Sequence, residues 1–363
     1  MRIGIITFHC AYNFGSALQA FALRKYLSSC GHDAVVIDYR SRDFEQYRLF
    51  HWGSPLTMAK DLYLLGRNIR RREAFETFLR DEVGITPRSY DWSDEEHLVE
   101  LQDDFDCFVC GSDQIWNLDC TRGPVAPFFL SFAGNRKRVA YAPSLAHESF
   151  RPEYFGAKER REISTWLSAF DAISVREAST AKTFSSLTDQ PIAQCIDPTL
   201  LLDGDDYKPL MRAIGLNAPY LFVYMLERCD ELVAKADGLA LRHGLEIIYI
   251  SKRPIVFKSK SRNYFGCGPG EFLWLLAHAR AVVTNSFHAT VFSLLLEVPF
   301  LTFPTRRSGS RMRELLLSLG VEDHLAGEGA HEDPLPVGRE TYASHLESLR
   351  AASKKFLHES LKD

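Results

Sequence analysis

Four stretches of this 363-residue chain follow an apolar run with residues able to do chemistry. Residues 281–284 lead into Asn285-Ser286-Phe287-His288-Ala289-Thr290. An imidazole there can carry a proton to or from a reacting atom. The start of a helix disfavours imidazolium and a bound polyanion favours it, so the proton can be loaded with the substrate. Residues 172–175 lead into Arg176-Glu177. A guanidinium fork at that point can grip a carboxylate or phosphate. The competing reading is an internal ion pair with Glu177 or Asp197. Residues 105–110 lead into Gly111-Ser112-Asp113-Gln114-Ile115-Trp116-Asn117, hydrogen-bonding groups beside an aromatic ring, a mixture suited to carbohydrate. Its competing reading is an Asx-turn over a buried tryptophan. Residues 2–8 lead into His9-Cys10-Ala11-Tyr12-Asn13-Phe14-Gly15-Ser16, where Gly15 and Ser16 open a helix whose free N–H groups can meet an anion or a sugar hydroxyl. That segment lacks a GxGxxG, which argues against a nicotinamide site.

All four sites stand at the carboxyl ends of expected strands, where open parallel sheets bind ligands. Residues 2–8, 16–30 and 34–38 read as strand, helix and strand, a parallel βαβ unit. Further strands are expected at 105–110, 138–142, 172–175 and 192–196, with helices at 154–170 and 179–187. Residues 41–100 are less regular, apart from a helical pattern over 61–80. A composition break at Leu201-Leu202-Asp203-Gly204-Asp205-Asp206 precedes a second α/β series. Its strands are expected at 220–226, 246–250, 281–284 and 299–303. Its helices are expected at 229–243, 270–279, 290–296 and 310–319, and a terminal helix at 340–361. Apolar rather than alternating strands suit sheets covered on both faces. The expected division is 1–203, 204–335 and 336–363: an α/β domain, a second α/β domain, and a C-terminal helix, with a cleft between the two domains.

Composition narrows the function. The net charge of -4, from 43 Lys and Arg against 47 Asp and Glu, argues against a protein built to bind nucleic acid. No stretch reaches the roughly 18 apolar residues of a membrane span, and the first residues do not read as a signal peptide. The eight cysteines, at 10, 30, 107, 110, 120, 195, 229 and 267, read as a reduced cytoplasmic thiol set. Cys107 and Cys110 have CxxC spacing without a second pair, so no metal site is expected. Arg67, Arg70, Arg71 and Arg72 read first as a solvated helix face. The sharper reading is peripheral contact with an anionic membrane surface.

The chain resembles the polysaccharide pyruvyl transferase family. The resemblance rests on Asn13 to Leu23, on Gly111 to Asn117, and on Ser174-Val175-Arg176-Glu177. It continues through Asp197-Pro198-Thr199-Leu200-Leu201 and Thr284 to Thr290. It implies a glycosyltransferase-B-like α/β fold of two Rossmann-like domains facing across a cleft. It implies transfer of a pyruvyl group from phosphoenolpyruvate to two hydroxyls of one sugar, giving a pyruvate ketal in cell-surface polysaccharide biosynthesis. Phosphoenolpyruvate is then a substrate, and no cofactor or metal is implied. The partner is a glycan or lipid-linked oligosaccharide acceptor, and the setting is cytoplasmic, at the inner face of the membrane. The second domain is the donor side and the first the acceptor side. His288 is the expected general acid, and Asp113 orients or deprotonates an acceptor hydroxyl. Arg176, Ser286 and Arg311 are expected at the donor, and Asn13, Gly15, Ser112 and Trp116 at the acceptor. Better-characterised members often carry an arginine where this chain has Ser286, so Arg311, or Arg306 and Arg307, should supply that cation. The alternatives are a sugar-nucleotide-dependent glycosyltransferase on the same scaffold and a non-catalytic glycan-binding relic.

Overall fold

The computed structural model describes residues 1–47, 49, 55–147, 149–305, 309–327 and 333–362. The chain forms two compact units. One comprises Met1–Arg48, Glu76–Leu202 and Ser348–Asp363, the other Leu49–Phe75 and Asp203–Glu347. A change of unit therefore falls at the composition break near residue 203. Residues 49–75, assigned by sequence order to the first domain, fold with the second unit.

The first unit holds a seven-stranded sheet of β1 (Arg2–Ile6), β2 (Asp33–Arg40), β3 (Ile85–Asp91), β4 (Cys107–Cys110), β5 (Lys137–Ala140), β6 (Ala172–Val175) and β7 (Ile192–Gln194). Their order is β3-β2-β1-β4-β5-β6-β7, and every pairing is parallel. Helices α1 (Phe14–Ser29), α2 (Pro55–Phe78), α3 (Leu118–Thr121), α4 (Ala157–Leu167) and α5 (Ala178–Phe184) occur along this stretch of chain. Apolar side chains on both faces bury the central strands: all of β4 and all of β1 beyond Arg2 are inaccessible to water. Trp116, Phe108, Phe128, Phe129 and Phe184 form the aromatic part of this core.

The second unit repeats the plan with five parallel strands: β8 (Tyr220–Tyr224), β9 (Glu246–Ile250), β10 (Ser261–Asn263), β11 (Ala281–Thr284) and β12 (Phe300–Thr302). Their order is β10-β9-β8-β11-β12. Its helices are α6 (Gly204–Tyr207), α7 (Asp230–His243), α8 (Pro269–Ala277), α9 (Phe287–Leu295), α10 (Gly309–Leu319) and α11 (Arg339–Ser360), the last ending in the first unit. Val223, Leu239, Ile247, Val283 and Leu301 centre its core. In each sheet the strand order reverses beside the first strand, between β1 and β4 and between β8 and β11. Such a reversal leaves a crevice at the carboxyl ends, the usual ligand position of doubly wound sheets.

Candidate active site

At the β1/β4 reversal the sequence builds a small cavity of mixed apolar and polar lining. Asn13 caps α1, its Oδ1 accepting from the Gly15 amide at 2.9 Å. Gly111 ends β4 at φ 111°, and a Cβ there would lie 2.1 Å from the Tyr141 carbonyl oxygen. Only glycine fits, and it turns the chain towards Asp113, which is left-handed at φ 63°. Aspartate tolerates that conformation better than most residues. The Ser16 hydroxyl donates to Asp113 Oδ2 at 2.5 Å. A cavity of about 180 Å³ opens here, lined among others by Asn13, Ser16, Asp113, Phe44 and Tyr47.

A charged network backs Phe44 and Tyr47, two of the aromatic residues that line the cavity. The Tyr12 ring lies 5.5 Å from Phe44 and 5.2 Å from Tyr47, and its hydroxyl donates to Glu76 at 2.7 Å. Arg40 bonds both Glu76 and Asp38 and covers the Phe44 ring at 4.9 Å. His9 Nε2 faces Asp38 Oδ1 at 3.0 Å. Burial would raise the Asp38 carboxyl, but His9 and Arg40 outweigh it and hold the group well below the usual carboxylate range. Burial pushes the Cys10 thiol, also at the cavity, up to about 12, so it stays protonated. Phe44 and Tyr47 lie in a short 3₁₀ turn, Arg42–Tyr47, just past the carboxyl end of β2, a strand end that the sequence reading did not follow up.

Three expected acceptor contacts are corrected by the geometry. Ser112 is fully buried; its hydroxyl donates to the Ala142 carbonyl at 2.5 Å and its amide to Gln19 at 3.2 Å. Trp116 is fully buried, stacked on Phe129 at 5.2 Å, with Nε1 donating to the Phe128 carbonyl. It is core, in keeping with the Asx-turn reading. Gly15 sits in the first turn of α1 with its amide held by Asn13. Asn13 and Asp113 are the expected residues that reach the cavity.

Arg176 is likewise corrected. It is buried at the end of β6, with Nε donating to Glu177 at 2.8 Å and Nη1 to Asp197 at 2.6 Å. Burial opposes the charge, but Glu177, Asp197 and Asp113 hold the guanidinium raised above its ordinary value. The internal ion pair engages Nε and Nη1 of the fork.

At the β8/β11 reversal the second unit gathers different side chains. The Thr284 hydroxyl donates to the Tyr224 carbonyl at 2.6 Å. Asn285 then clasps the loop after β8, accepting from the Leu226 amide and donating to the Glu227 carbonyl, both at 2.7 Å. Ser286 is the N-cap of α9, accepting from the Ala289 amide at 3.4 Å. His288 is the second residue of α9, its ring 5.2 Å from Phe287 and edge-on to it. The Arg311 guanidinium lies 5.8 Å from the same Phe287 ring. Phe287 thus joins an imidazole and a guanidinium that are 23 residues apart in sequence. Arg306 and Arg307 lie outside the described residues.

On the basic helix α2, Arg67, Arg70 and Arg72 are exposed and Arg71 is half-buried. Arg70 pairs with Glu271 at 2.7 Å, and Arg71 stands over Phe265 at 4.8 Å and Phe75 at 5.5 Å. Among the described residues no helix is long and apolar enough to cross a membrane. No group of three or more His, Cys, Asp or Glu among them could hold a metal ion. Cys107 and Cys110 lie buried in β4, where desolvation pushes the Cys107 thiol up to about 12 and raises Cys110 well above its ordinary value.

Two parallel Rossmann-like units with polar groups at each strand reversal define a double-Rossmann α/β protein. The fold is similar to UDP-GlcNAc 2-epimerase from Neisseria meningitidis, at 11% identity over 100% of both chains with a TM-score of 0.51. It is also similar to a putative UDP-N-acetylglucosamine 2-epimerase from Listeria monocytogenes, at 12% identity over 98% of this chain and 90% of that one, with a TM-score of 0.50. Identities this low concern the fold alone. No curated protein matches the sequence. The sequence model of the polysaccharide pyruvyl transferase family matches residues 13–306, and the chain belongs to that family.

Proposed function

We propose that this protein transfers a pyruvyl group from phosphoenolpyruvate to two hydroxyls of one sugar, forming a pyruvate ketal on a glycan of the cell surface. The observation that carries the reading is family membership across residues 13–306. Two further features support it. His288 and Arg311 meet on Phe287 in the second unit, and the first unit's cavity is lined by Asn13, Ser16, Asp113, Phe44 and Tyr47. All eight cysteines are free thiols, which suits a cytoplasmic setting.

His288 gives its proton to the methylene carbon of the donor, leaving an oxocarbenium-like centre at C2. Arg311 and the amides at the start of α9 offset the donor's negative charge. One sugar hydroxyl adds to C2 and loses its proton, which returns to His288. Phosphate then leaves, the second hydroxyl closes the ketal, and its proton departs with the phosphate. Asp113, held by Ser16, orients the attacking hydroxyl. Phe44 and Tyr47 offer flat apolar faces to the sugar ring.

The test is phosphate release from phosphoenolpyruvate against a panel of glycans, with the product read by mass spectrometry. An added mass matching a pyruvate ketal is expected. Release of a nucleoside diphosphate from a sugar nucleotide would replace this reading with glycosyl transfer. Saturable glycan binding without turnover would replace it with a binding protein.

A further inference from the structure

Large apolar side chains left in water gather on one helix. Met58, Leu62, Tyr63 and Ile69 are 47%, 66%, 76% and 36% exposed, and all four belong to α2. Among the described residues no other element carries more than one side chain of this kind. At 3.6 residues per turn, Met58, Leu62 and Ile69 fall within about 40° of one another, in a stripe roughly 16 Å long. Isolated apolar residues at a surface are ordinary, but a contiguous exposed set marks a contact.

The rest of the helix circumference is already used. Asp61, Leu64, Phe75 and Phe78 are buried on the other side. Arg70 pairs with Glu271 and Arg71 stands over Phe265, which docks the helix within its own unit. The exposed arc therefore remains after docking is complete. By the same helical spacing it runs from Arg72 through Met58, Ile69, Leu62 and Tyr63 to Arg67, so that exposed arginines stand at both borders. Glu73 is the one exposed carboxylate on α2 among the described residues. The arc is thus apolar with a surplus of positive charge, in a chain whose net charge is -4.

We propose that α2 is a peripheral membrane anchor that lies in the plane of an anionic lipid surface. Met58, Leu62, Tyr63 and Ile69 enter the boundary between headgroups and acyl chains, and Arg67 and Arg72 reach lipid phosphates from the two borders of the arc. Apolar side chains on one arc with arginines beside them are the pattern of helices that lie on a membrane. Arginine stems can run along the apolar layer while the charge stays among the headgroups, and a tyrosine suits the same depth. Because Arg70 and Arg71 are engaged within the unit, the contact rests on the apolar arc together with two arginines rather than on four cations. Glu73 lies within the arc and opposes the attraction, so the contact is weak and sensitive to salt. It involves neither His288 nor the first unit's cavity and does not depend on pyruvyl transfer.

Sedimentation of the full-length protein with vesicles of phosphatidylglycerol and phosphatidylcholine, against phosphatidylcholine alone, tests it without phosphoenolpyruvate or glycan. Retention on the anionic vesicles is expected, several-fold weaker at roughly 0.15 M salt than at low salt. An Arg67→Gln, Arg72→Gln variant should bind them roughly ten-fold more weakly. A Met58→Gln, Leu62→Gln, Tyr63→Gln variant should lose retention at the higher salt. A Leu241→Gln, Leu317→Gln variant changes two side chains that are each 63% exposed on other helices, and it should bind as wild type does. Thermal unfolding midpoints check that each variant still folds. Equal retention on both kinds of vesicle, retention on neither, or unchanged binding in the arginine or the apolar variant overturns the proposal. A dimer seen by light scattering and abolished in the apolar variant, with no vesicle binding, also overturns it and gives the face to a second copy of the chain. Failure here leaves the phosphate-release assay untouched, and failure of that assay leaves the membrane contact standing.

Discussion

The two strand reversals share a topology and differ in chemistry. At β1/β4 the loops bring amides, hydroxyls, aromatic rings and one carboxylate, Asp113, to a cavity of about 180 Å³. Charge is abundant beneath that surface, but it is paired: His9 and Arg40 with Asp38, Arg40 with Glu76, Arg176 with Glu177 and Asp197. In the second unit the loops after β8 and β9 bring Arg228, Lys252 and Arg253 to a cavity of about 630 Å³, and β11 delivers His288 to a helix start. The same βα scaffold therefore presents one carboxylate among uncharged groups in one copy and a set of cations in the other. The residues immediately after each strand make the difference, since the strands themselves are alike in burial.

The contrast would break most plainly at His288. His288→Ala should lower turnover roughly 10²–10⁴-fold, the usual worth of a positioned proton donor. A phosphate-release assay reads the loss, and an unchanged unfolding midpoint shows that the fold is intact. Wild-type turnover in this variant would remove the proton donor from the second unit.

Arg176 comes next, and its effect should fall on stability. Arg176→Met leaves Glu177 and Asp197 buried without their cation, at a cost of about 3–5 kcal/mol by urea unfolding. Arg176→Lys should lose part of that and leave the donor KM unchanged. A large rise in that KM, with wild-type stability, would make the arginine a ligand after all.

Tyr47→Ala should act on the first unit alone. Loss of one aromatic face is expected to raise the acceptor KM roughly 2–10-fold, with the donor KM constant. Steady-state kinetics in each substrate separates the two.

The remaining effect concerns acid. Asp38 is held below its ordinary value of about 3.9 in the folded chain. Its contribution to stability is complete above about pH 4 and is lost as the pH falls through the lower folded-state value. Asp38→Asn should therefore be less stable than wild type near neutrality, and the gap should close as the solution is acidified. Urea midpoints between about pH 6 and pH 2 measure this. A gap that widens in acid would mean that Asp38 is not the anionic partner of His9 and Arg40.

Much of the fold was legible because central strands are apolar on both faces: residues 172–175, 246–250 and 281–284 are strands to the residue. Two of the four edge strands were not, although β7 and β12 were. β3 (Ile85–Asp91) carries Thr, Pro, Arg and Ser, and β10 (Ser261–Asn263) is polar throughout, so neither announces itself by hydropathy. The helical pattern of α2 was visible, but not which core receives it, because adjacency in sequence does not specify that. In the site, Asn13 and Asp113 were legible as strand-end polar groups. Trp116 misled because an aromatic beside Ser112, Asp113 and Gln114 resembles a sugar platform, whereas its ring turns into the core. Arg176 misled for a related reason: its two partners were in view at 177 and 197, and only geometry could show that both engage it at once. The cations that line the second unit's cavity are scattered over residues 71, 228, 252 and 253, too far apart for any local motif.

The path of the chain has a consequence for synthesis. It passes between the units at residues 48/49, 75/76, 202/203 and 347/348. The final passage carries Arg350, which donates to the carbonyls of Leu200 and Leu202, and Ser353, which accepts from the Ile196 amide. Those bonds tie off the end of the first unit with residues made about 150 positions later. A ribosome that has emitted the whole seven-stranded sheet still holds an unfinished first unit. The nascent chain must keep that exposed seam soluble until the last turns of α11 emerge, and a stop codon a few turns early would strip the unit that was translated first.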